Sequence, residues 1–297
     1  MILFTFEENG LARSSDLENL FKGGRALLIG GAPSLLEQPL AELSKRGVLT
    51  MAMNNAARHF QPDLWIGSDN PACYDPRILL DPKITKFAPR SHSEEHLGEE
   101  YAGWKFREMP RMFFYGQDAD VPYADFLERH QGVPWYKNTL MAAIHVLYRL
   151  GIRSIILGGS DFGMSKDGRM YAHPSTMGSL QKKWNIALYN SQAETLRIMQ
   201  KYFKSKNLEI IDCSVNSRLG EVYRITSMEK AVEYCLQQFP KQEADPATLP
   251  HCSVFAPERL KRGVAGCPMP KVPDTESAPQ VAPVKTNGKI KAMHEVL

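Results

Sequence analysis

Short apolar runs alternate with amphipathic segments between residues 23 and 239. Six of these runs have the length and composition of strands: RALLIG (25–30), VLTMAMN (48–54), LWIGSD (64–69), KITKFA (83–88), SIILGG (154–159) and LEIIDCS (208–214). Several of them are continuously apolar, which is typical of parallel strands that are buried on both faces of a sheet. The pattern therefore predicts a mainly parallel sheet.

Three longer segments have the spacing of amphipathic helices, at 138–151, 184–207 and 226–239. The first ends at Gly151, a favourable residue just beyond a helix, and the third opens with a Thr-x-x-Glu capping box. Pro39 interrupts a further helical stretch, which predicts a short turn at 34–37 and a new helix over 39–46. Alternating strands and helices predict an α/β, Rossmann-like open sheet with helices on both faces.

The two ends of the chain differ from this central region. Residues 1–22 form an N-terminal lead-in, with one or two helical turns expected in SSDLENLFKG (14–23). Residues 240–297 contain nine prolines and no apolar periodicity, so they cannot bury enough apolar surface to offset the entropy of ordering. We expect one domain over 23–239 and a mostly disordered, Pro-rich tail over 240–297.

Composition excludes several classes of protein. The chain has 297 residues and a net charge of +3 without a Lys/Arg stripe, which permits an anionic ligand but does not indicate nucleic acid. Five scattered cysteines without CxxC spacing argue against a disulfide framework or a zinc site. The N-terminus lacks the basic region of a signal peptide, and no apolar run approaches the roughly 20 residues that span a bilayer. These features predict a cytoplasmic protein without a membrane span.

The turn after the first predicted strand has a composition suited to an anion. Gly30 and Gly31 can adopt positive φ and admit a ligand close to the backbone, while Pro33 fixes φ at a helix start. Ser34 and Glu37 form a Ser-x-x-Glu pattern in which Ser34 caps the helix. Free amides and the helix dipole would then bind a phosphate. An ordinary strand-to-helix turn would use the same residues, and the pattern is neither GxGxxG nor a Walker A loop.

Polar residues also follow three other predicted strands: Asn54, Asn55, Ser68, Asp69, Asn70, Ser160 and Asp161. Each alone is an ordinary turn former. Their recurrence at the carboxyl ends of strands, the edge where open α/β sheets bind ligands, favours a shared site. The amides could read a base or ribose, and Asp69 or Asp161 could bind a ribose, an acceptor hydroxyl or Mg²⁺.

The segment 161–180 is long for a connection in such a domain and contains a hairpin-like Asp-Gly turn, so it is a candidate lid. Within it, Tyr171 could donate to a leaving phosphate. His173 could act as a general base or could simply be an exposed loop histidine. His145 lies on an apolar helix face and is expected in the core, while the histidines of SHSEEH (91–96) are expected to be solvated.

Five segments, taken in order, are similar to a known superfamily: LLIGGAPSL, AMNNA, LWIGSDN, NTLMAAIHVLYRLGIRSIILGGSDF and IDCSVNSRLGEVYRITSMEKAVE. The chain resembles the group that joins the glycosyltransferase family 42 sialyltransferases to the MptE-like proteins. The MptE-like proteins include 6-hydroxymethylpterin diphosphokinases and motility-associated flagellin glycosyltransferases. The resemblance covers residues 25–238 and not the tail. It implies that 23–239 is a Rossmann-like, nucleotide- or nucleotide-sugar-binding catalytic domain.

The resemblance also implies roles for individual residues. It implies nucleotide contacts at Gly30, Gly31, Pro33, Ser34 and Asn54. Thr139 stands where the family has a nucleotide-contacting serine, and Tyr171 resembles a tyrosine that helps the phosphate to leave. Two positions depart from the family: a second phosphate-binding tyrosine is replaced by Gly163, and the region of the catalytic histidine reads KKWNIALYNSQAETL (182–196), without a histidine.

Three functional hypotheses follow. The first is a glycosyltransferase that moves a sugar from a nucleotide-activated donor to a hydroxyl of a glycan, a protein or a modified DNA base, with His173 or Asp161 as base and without a required cofactor. The second is an MptE-like diphosphokinase, with Mg²⁺ held by Asp69 and Asp161. The third is a non-catalytic nucleotide-binding protein whose tail recruits partners. All three leave a homo-oligomer open.

The predicted site comprises ten nucleotide-binding and three catalytic residues. The nucleotide-binding residues are Gly30, Gly31, Pro33, Ser34, Asn54, Asn55, Asp69, Asn70, Thr139 and Ser160. The catalytic residues are Asp161, Tyr171 and His173.

Overall fold

The computed structural model describes residues 1–6, 10–45, 47–98, 103–118, 121–134, 136, 138–173, 178–215, 217–220 and 222–236. The predicted tail at 240–297 lies outside these residues. The strands are β1 (Ile2–Phe6), β2 (Ala12–Asp16), β3 (Arg25–Ile29), β4 (Leu49–Met53), β5 (Leu64–Ile66), β6 (Thr85–Pro89), β7 (Met112–Tyr115), β8 (Gln117–Asp118), β9 (Val133–Pro134), β10 (Ser154–Gly158), β11 (Glu209–Asp212) and β12 (Arg224–Ile225). The α-helices are α1 (Pro76–Leu80), α2 (Thr139–Arg149), α3 (Ser179–Ser205) and α4 (Met228–Leu236).

Ten of these strands form one twisted sheet in the order β12-β11-β10-β3-β4-β5-β6-β7-β1-β2. The eight strands from β12 to β7 are parallel, whereas β1 and β2 close one end in antiparallel pairings. Strands β8 and β9 form a separate parallel pair. The protein therefore has the predicted α/β, Rossmann-like architecture with a mainly parallel sheet.

Both faces of the sheet are covered by apolar layers. Along β3, Ala26 and Leu28 pack into the cluster that contains the buried face of α2 and the second half of α3. Leu27 and Ile29 point the other way, into the cluster that contains α4. A third cluster, around Trp65, includes the buried side of α1. The prediction of helices on both faces is confirmed, because alternate side chains of a central strand enter opposite cores.

All six predicted strands are present, with shorter bounds than the sequence indicated; the third, for example, ends at Ile66 rather than at residue 69. The predicted helix at 138–151 is α2, and the one at 184–207 is α3, which begins earlier, at Ser179. The helical stretch around Pro39 is two 3₁₀ helices, Pro33–Glu37 and Leu40–Ser44, rather than a turn and an α-helix.

The helical turns predicted in residues 14–23 are wrong. Residues 12–16 form β2, which pairs with β1, and β1 pairs in turn with β7. Leu3 in β1 is fully buried, so the lead-in belongs to the same sheet as the rest of the domain. Strand β7 (MFFY) was not predicted from the sequence either.

Two further findings concern the expected environment. Within the described ranges, no helix is long and apolar enough to cross a membrane. The cysteines that lie in these ranges, Cys73, Cys213 and Cys235, are free thiols.

Candidate functional site

The strand order reverses between β3 and β10, because β3 leads to β4 on one side while β10 lies on the other. A cavity of about 620 Å³ lies there, lined by residues that follow β3, β4, β5 and β10, by the start of α2 and by α3. Ligands of open α/β sheets bind at this kind of switch point, outside the carboxyl ends of the strands. The fold therefore positions the cavity.

Ten of the thirteen predicted site residues line this cavity: Gly30, Gly31, Asn54, Asn55, Asp69, Thr139, Ser160, Asp161, Tyr171 and His173. Pro33 and Ser34 do not line it, and both are buried in the 3₁₀ helix behind it. Asn70 does not line it either; its side chain accepts a hydrogen bond from the amide of Ala72 and caps a short 3₁₀ helix.

The two glycines of the first turn differ from expectation. Neither Gly30 nor Gly31 has a positive φ. A Cβ on Gly30 would lie 2.5 Å from the carbonyl oxygen of Gly159, and a Cβ on Gly159 would lie 2.5 Å from that of Gly30. The backbones of Gly30 and Gly159 are therefore too close for a side chain at either position. Around Gly31, the nearest atom to an added Cβ is the amide nitrogen of Ala56 at 3.9 Å, an ordinary van der Waals contact, so Gly31 has room for a Cβ whereas Gly30 does not.

The sequence predicted that Ser34 caps a helix, but it does not. Ala32 occupies the N-cap position, while the Ser34 amide donates to Asp161 Oδ2 over 3.1 Å and the Ser34 hydroxyl donates to Oδ1 of the same carboxylate. Burial raises the pKa of Asp161, and the hydrogen bonds from Ser34 oppose that rise. Ser34 thus holds the buried carboxylate in position at the cavity.

Three of the amides at 30–34, where an anion site was predicted, have partners inside the protein and are not available to an anion. The amides of Gly30 and Ala32 donate to the carbonyl oxygens of Gly158 and Gly159, over 2.8 and 2.9 Å. The Ser34 amide is bound to Asp161. Pro33 has no N–H to offer.

The start of α2 reaches the cavity instead. Asn138, Thr139 and Leu140 line it, and the Asn138 side chain accepts from the Leu140 amide over 2.9 Å as the N-cap. An α-helix of this length carries a partial positive charge at its N-terminus. The role of Asn138 was not predicted from the sequence, although Asn before a helical pattern is a recognisable capping signal.

Asn54 is held in a strained conformation beside the cavity. Its φ is 51°, in the left-handed region, and its carbonyl oxygen accepts from Trp65 Nε1 over 2.8 Å. Its side-chain Oδ1 is buried without a hydrogen-bond partner. Strain and an unsatisfied polar atom at one residue are typical of ligand sites. Asn55 differs, since both ends of its amide bind backbone groups, of Cys73 and Asp75.

Asp69 is the second carboxylate of the cavity. Burial raises its pKa, and the charge of nearby His92 partly opposes that rise. The Asp69 amide donates to the Tyr74 hydroxyl over 2.6 Å. The histidine His92 was expected to be solvated, but it is partly buried and its Nε2 lies 3.2 Å from the Ser68 carbonyl oxygen.

The cavity does not fit a dedicated metal centre. No group of three or more His, Cys, Asp or Glu side chains that could hold a metal ion is found in the described part of the chain. Both oxygens of the Asp161 carboxylate already accept hydrogen bonds from Ser34. Mg²⁺ is commonly held by only one or two carboxylates together with water and substrate phosphates, so the pair of Asp69 and Asp161 named for the diphosphokinase hypothesis stays a prediction.

Tyr171 and His173 form a stacked pair at the cavity, with ring centroids 5.2 Å apart and planes 9° from parallel. The amide of Asn185 donates to the Tyr171 hydroxyl over 3.2 Å. Tyr189 shares a hydrogen bond with the same hydroxyl, and burial together with this bond raises the pKa of Tyr189. The Tyr171 hydroxyl is thus held in place by Asn185 and Tyr189 at the cavity.

The surroundings of His173 favour the neutral form of its imidazole. Burial lowers its pKa, and the charges of Arg58 and His59 lower it further. Its Nδ1 is buried and has no hydrogen-bond partner among the described residues. His145, by contrast, is a core residue: its Nδ1 lies 2.9 Å from the Phe126 carbonyl oxygen, and burial lowers its pKa to about 3.

The turn predicted inside the candidate lid is present at 165–169. The Ser165 amide donates to the Arg169 carbonyl oxygen over 2.9 Å, and Gly168 has a φ of 79°. Residues 174–177 of that segment lie outside the described residues. At Gly163, an added Cβ would lie 3.1 Å from the guanidinium of Arg218.

Sequence reasoning missed the contribution of α3. Four polar or aromatic side chains on one side of this helix line the cavity: Gln181, Asn185, Tyr189 and Gln192. Their spacing of four, four and three residues places them on one helix face. That spacing was visible in the sequence, but a polar helix face is usually solvated.

These features define an α/β protein with a polar ligand cavity at the switch point of a doubly wound sheet. No family model matches the chain, and no curated protein sequence matches it.

Two solved structures resemble its fold. One is MAf glycosyltransferase from Magnetospirillum magneticum AMB-1, with a TM-score of 0.41 and 12% identity, covering 83% of this chain and 37% of that one. The chain thus spans little more than a third of that enzyme. The other is the sialyltransferase CstII from Campylobacter jejuni, bound to the substrate analogue cytidine-5′-monophosphate, with a TM-score of 0.41 and 15% identity, covering 69% of this chain and 85% of that one.

Proposed function

We propose that the protein is a glycosyltransferase that moves a sugar from a nucleotide-activated donor to an acceptor hydroxyl. The observation that carries this proposal is the convergence of Asp161, Tyr171 and His173 on one cavity at the switch point of the sheet. A neutral histidine can deprotonate an acceptor hydroxyl, and a tyrosine hydroxyl can donate a hydrogen bond to a leaving phosphate.

The nucleotide would occupy the side of the cavity formed by the turns after β3 and β4. Gly31 lines the cavity, and without a Cβ it would admit a ligand close to the backbone. The buried, unpartnered Oδ1 of Asn54 is an acceptor suited to an amino group of a base or to a ribose hydroxyl. The start of α2 at Thr139 would face the phosphate with its partial positive charge.

The chemical step would take place between α3 and the turn after β10. His173 accepts the proton of the acceptor hydroxyl as its oxygen attacks the anomeric carbon. The bond from that carbon to the phosphate oxygen breaks, and Tyr171 donates a hydrogen bond to the departing phosphate. Asn185 and Tyr189 orient the Tyr171 hydroxyl for this role.

The carboxylate of Asp161 has a different role in this scheme. Its oxygens are held by Ser34, and burial favours its neutral form. This supports assigning the base to His173 rather than to Asp161, which would position the turn after β10 and contact a donor hydroxyl.

The proposal is tested with a panel of CMP-, UDP-, GDP- and dTDP-sugars, each scored for binding by thermal shift and for slow hydrolysis. A bound nucleotide raises the unfolding midpoint by mass action. We expect one nucleotide class to bind, and we expect His173→Asn to abolish turnover while leaving this binding intact. Absence of binding across the panel would overturn the proposal.

Two further results would identify the other hypotheses, with ATP and a hydroxymethylpterin assayed beside the panel. Mg²⁺-dependent release of AMP from ATP in the presence of a hydroxymethylpterin would identify a diphosphokinase. Tight nucleotide binding without turnover, unchanged in His173→Asn, would identify a non-catalytic nucleotide-binding protein.

A further inference from the structure

The first half of α3 protrudes from the body of the protein. From Ser179 to Gln192 no residue of this helix is buried, and burial begins only at Ala193. These fourteen residues correspond to about 21 Å of helix. One side of this protruding half faces the cavity through Asn185 and Tyr189, so the cavity has a wall whose other side is open to solvent.

An apolar stripe runs along the open side of this wall. Leu180 is 69% exposed, Trp184 is 71% exposed and Leu188 is 40% exposed. We call these three residues the α3 stripe. Each four-residue step turns by about 40° around the helix axis, so the stripe rotates toward the cavity as it proceeds along α3. Leu188 belongs both to the α3 stripe and to the lining of the cavity.

The stripe is therefore a continuous path of about 12 Å from the outer surface to the cavity. Exposed apolar side chains in a contiguous group mark binding surfaces, whereas single ones do not. The path ends one residue from Tyr189, whose hydroxyl bonds to that of Tyr171. A molecule lying on the stripe would thus present its end to the proposed reacting groups.

The chemistry around the stripe favours a saccharide as the occupant. Among the tryptophans in the described ranges, Trp65 and Trp104 are buried and Trp184 is exposed. One turn before this indole, the side chain of Gln181 lines the cavity. A flat aromatic ring with an amide side chain one turn away suits a pyranose, because the ring covers the apolar C–H face and the amide bonds to hydroxyls.

We propose that the α3 stripe binds the acceptor of the reaction, a saccharide whose apolar ring face lies on Trp184. This inference rests on the proposed function, since it names the acceptor class of the same site. It predicts that acceptor binding, on α3, and nucleotide binding, at the turns after β3 and β4, can be removed separately.

The test compares the full-length protein with Trp184→Ala, Leu180→Ala and the control Ile198→Ala. Ile198 is an exposed residue of the same helix and does not line the cavity. Saturation-transfer NMR measures binding of lactose, maltose, cellobiose and diacetylchitobiose. Thermal unfolding shows that each variant is folded, and size-exclusion chromatography with light scattering gives the oligomeric state.

We expect at least one disaccharide to bind, and we expect Trp184→Ala to weaken its binding by about tenfold or more. Leu180→Ala should have a smaller effect, and Ile198→Ala should have none. Nucleotide binding by thermal shift should be unchanged in all three variants. Trp184→Ala should also raise KM for the saccharide more than it lowers kcat.

Three results would overturn the inference. These are a Trp184→Ala variant that binds saccharides as the wild type does, a panel in which no disaccharide binds, and a wild-type dimer that dissociates in Trp184→Ala, which would assign the stripe to a second copy of the chain. Failure of the proposed function looks different: no nucleotide would bind, while saccharide binding would still depend on Trp184.

Discussion

The hydroxyl and the amide of Ser34 both donate to the carboxylate of Asp161, which lies 127 positions away in the sequence. Ser34 follows β3, and Asp161 follows β10, so this contact joins the two turns that flank the switch point. It links the donor side of the cavity to the turn that leads to Tyr171 and His173.

Replacing Ser34 by Ala should destabilise the protein in a pH-dependent way. Burial raises the pKa of Asp161, so the native state holds this proton more tightly than the unfolded chain, and stability falls as pH rises through the interval between the two pKa values. Losing the hydroxyl raises the native pKa further. We expect a cost of about 1–3 kcal/mol above that interval and a smaller cost below it.

Denaturant unfolding at several pH values measures this effect. The matched control is Ser165→Ala, since the Ser165 hydroxyl donates to Asp167 on an exposed turn, and it should change stability by less than about 0.5 kcal/mol. A Ser34→Ala cost that is equal at all pH values would show that Asp161 does not ionise in the native state.

Substitutions at Gly159 and Gly31 should have different effects, because only Gly159 is in close backbone contact with Gly30. Gly159→Ala should be strongly destabilising, because its Cβ would lie 2.5 Å from a carbonyl oxygen and its φ is 57°. We expect a loss of about 2–4 kcal/mol from overpacking and left-handed strain. Gly31→Ala has room for its Cβ, so its unfolding midpoint should stay near that of the wild type while nucleotide affinity falls. An unchanged affinity would place the nucleotide away from Gly31.

The pH dependence of turnover should report the environment of His173. Its pKa is lowered by burial and by the positive charge of Arg58. Because a base must be unprotonated, kcat/KM should rise with pH through an inflection below 6.5 and be constant above it. Arg58→Met removes a charge and should move this inflection to higher pH. His173→Asn should lower kcat by about 10²–10⁴-fold.

Arg77→Met is the control for Arg58→Met. Both arginines pair with Asp75, over 3.1 Å for Arg58 and 2.5 Å for Arg77, but the charge of Arg77 is not among the causes that shift His173. An inflection that moves equally in the two variants would mean that Asp75, rather than Arg58, controls the titrating group.

Tyr171→Phe should separate chemistry from binding. The hydroxyl is proposed to stabilise the departing phosphate, so we expect kcat to fall by about 10²–10³-fold, with little change in nucleotide affinity. Tyr234→Phe is a suitable control, because the Tyr234 hydroxyl donates to Glu209 over 2.9 Å and Tyr234 does not line the cavity. A loss confined to nucleotide affinity would indicate a binding role for Tyr171 instead.

The parallel part of the fold could be predicted because continuous apolar runs such as SIILG have few alternatives to a buried strand. Strands β1 and β2 were missed for a physical reason. β2 (ARSSD) lies at the outer end of the sheet and is polar and largely exposed, so it has no apolar pattern. Without a visible partner, the apolar residues of β1 do not identify a strand.

The cavity residues at strand ends could be predicted because parallel strands bring their carboxyl ends to one edge. Asn54, Asp69 and Asp161 meet there for this reason. Ser34 was misassigned because a capping pattern is local in sequence, whereas its partner is distant. Tyr189 and Trp184 were missed because the direction of a helix side chain depends on where the helix packs, which the sequence pattern does not specify.

The outer strands of the sheet have a consequence for self-association. β2 ends the sheet on one side with the residues Arg13 to Asp16, and β12 ends it on the other with only two residues. Neither offers the long, flat, apolar margin that recruits another chain by strand addition. Copies of this protein would therefore not be expected to assemble by adding strands to either end of the ten-stranded sheet.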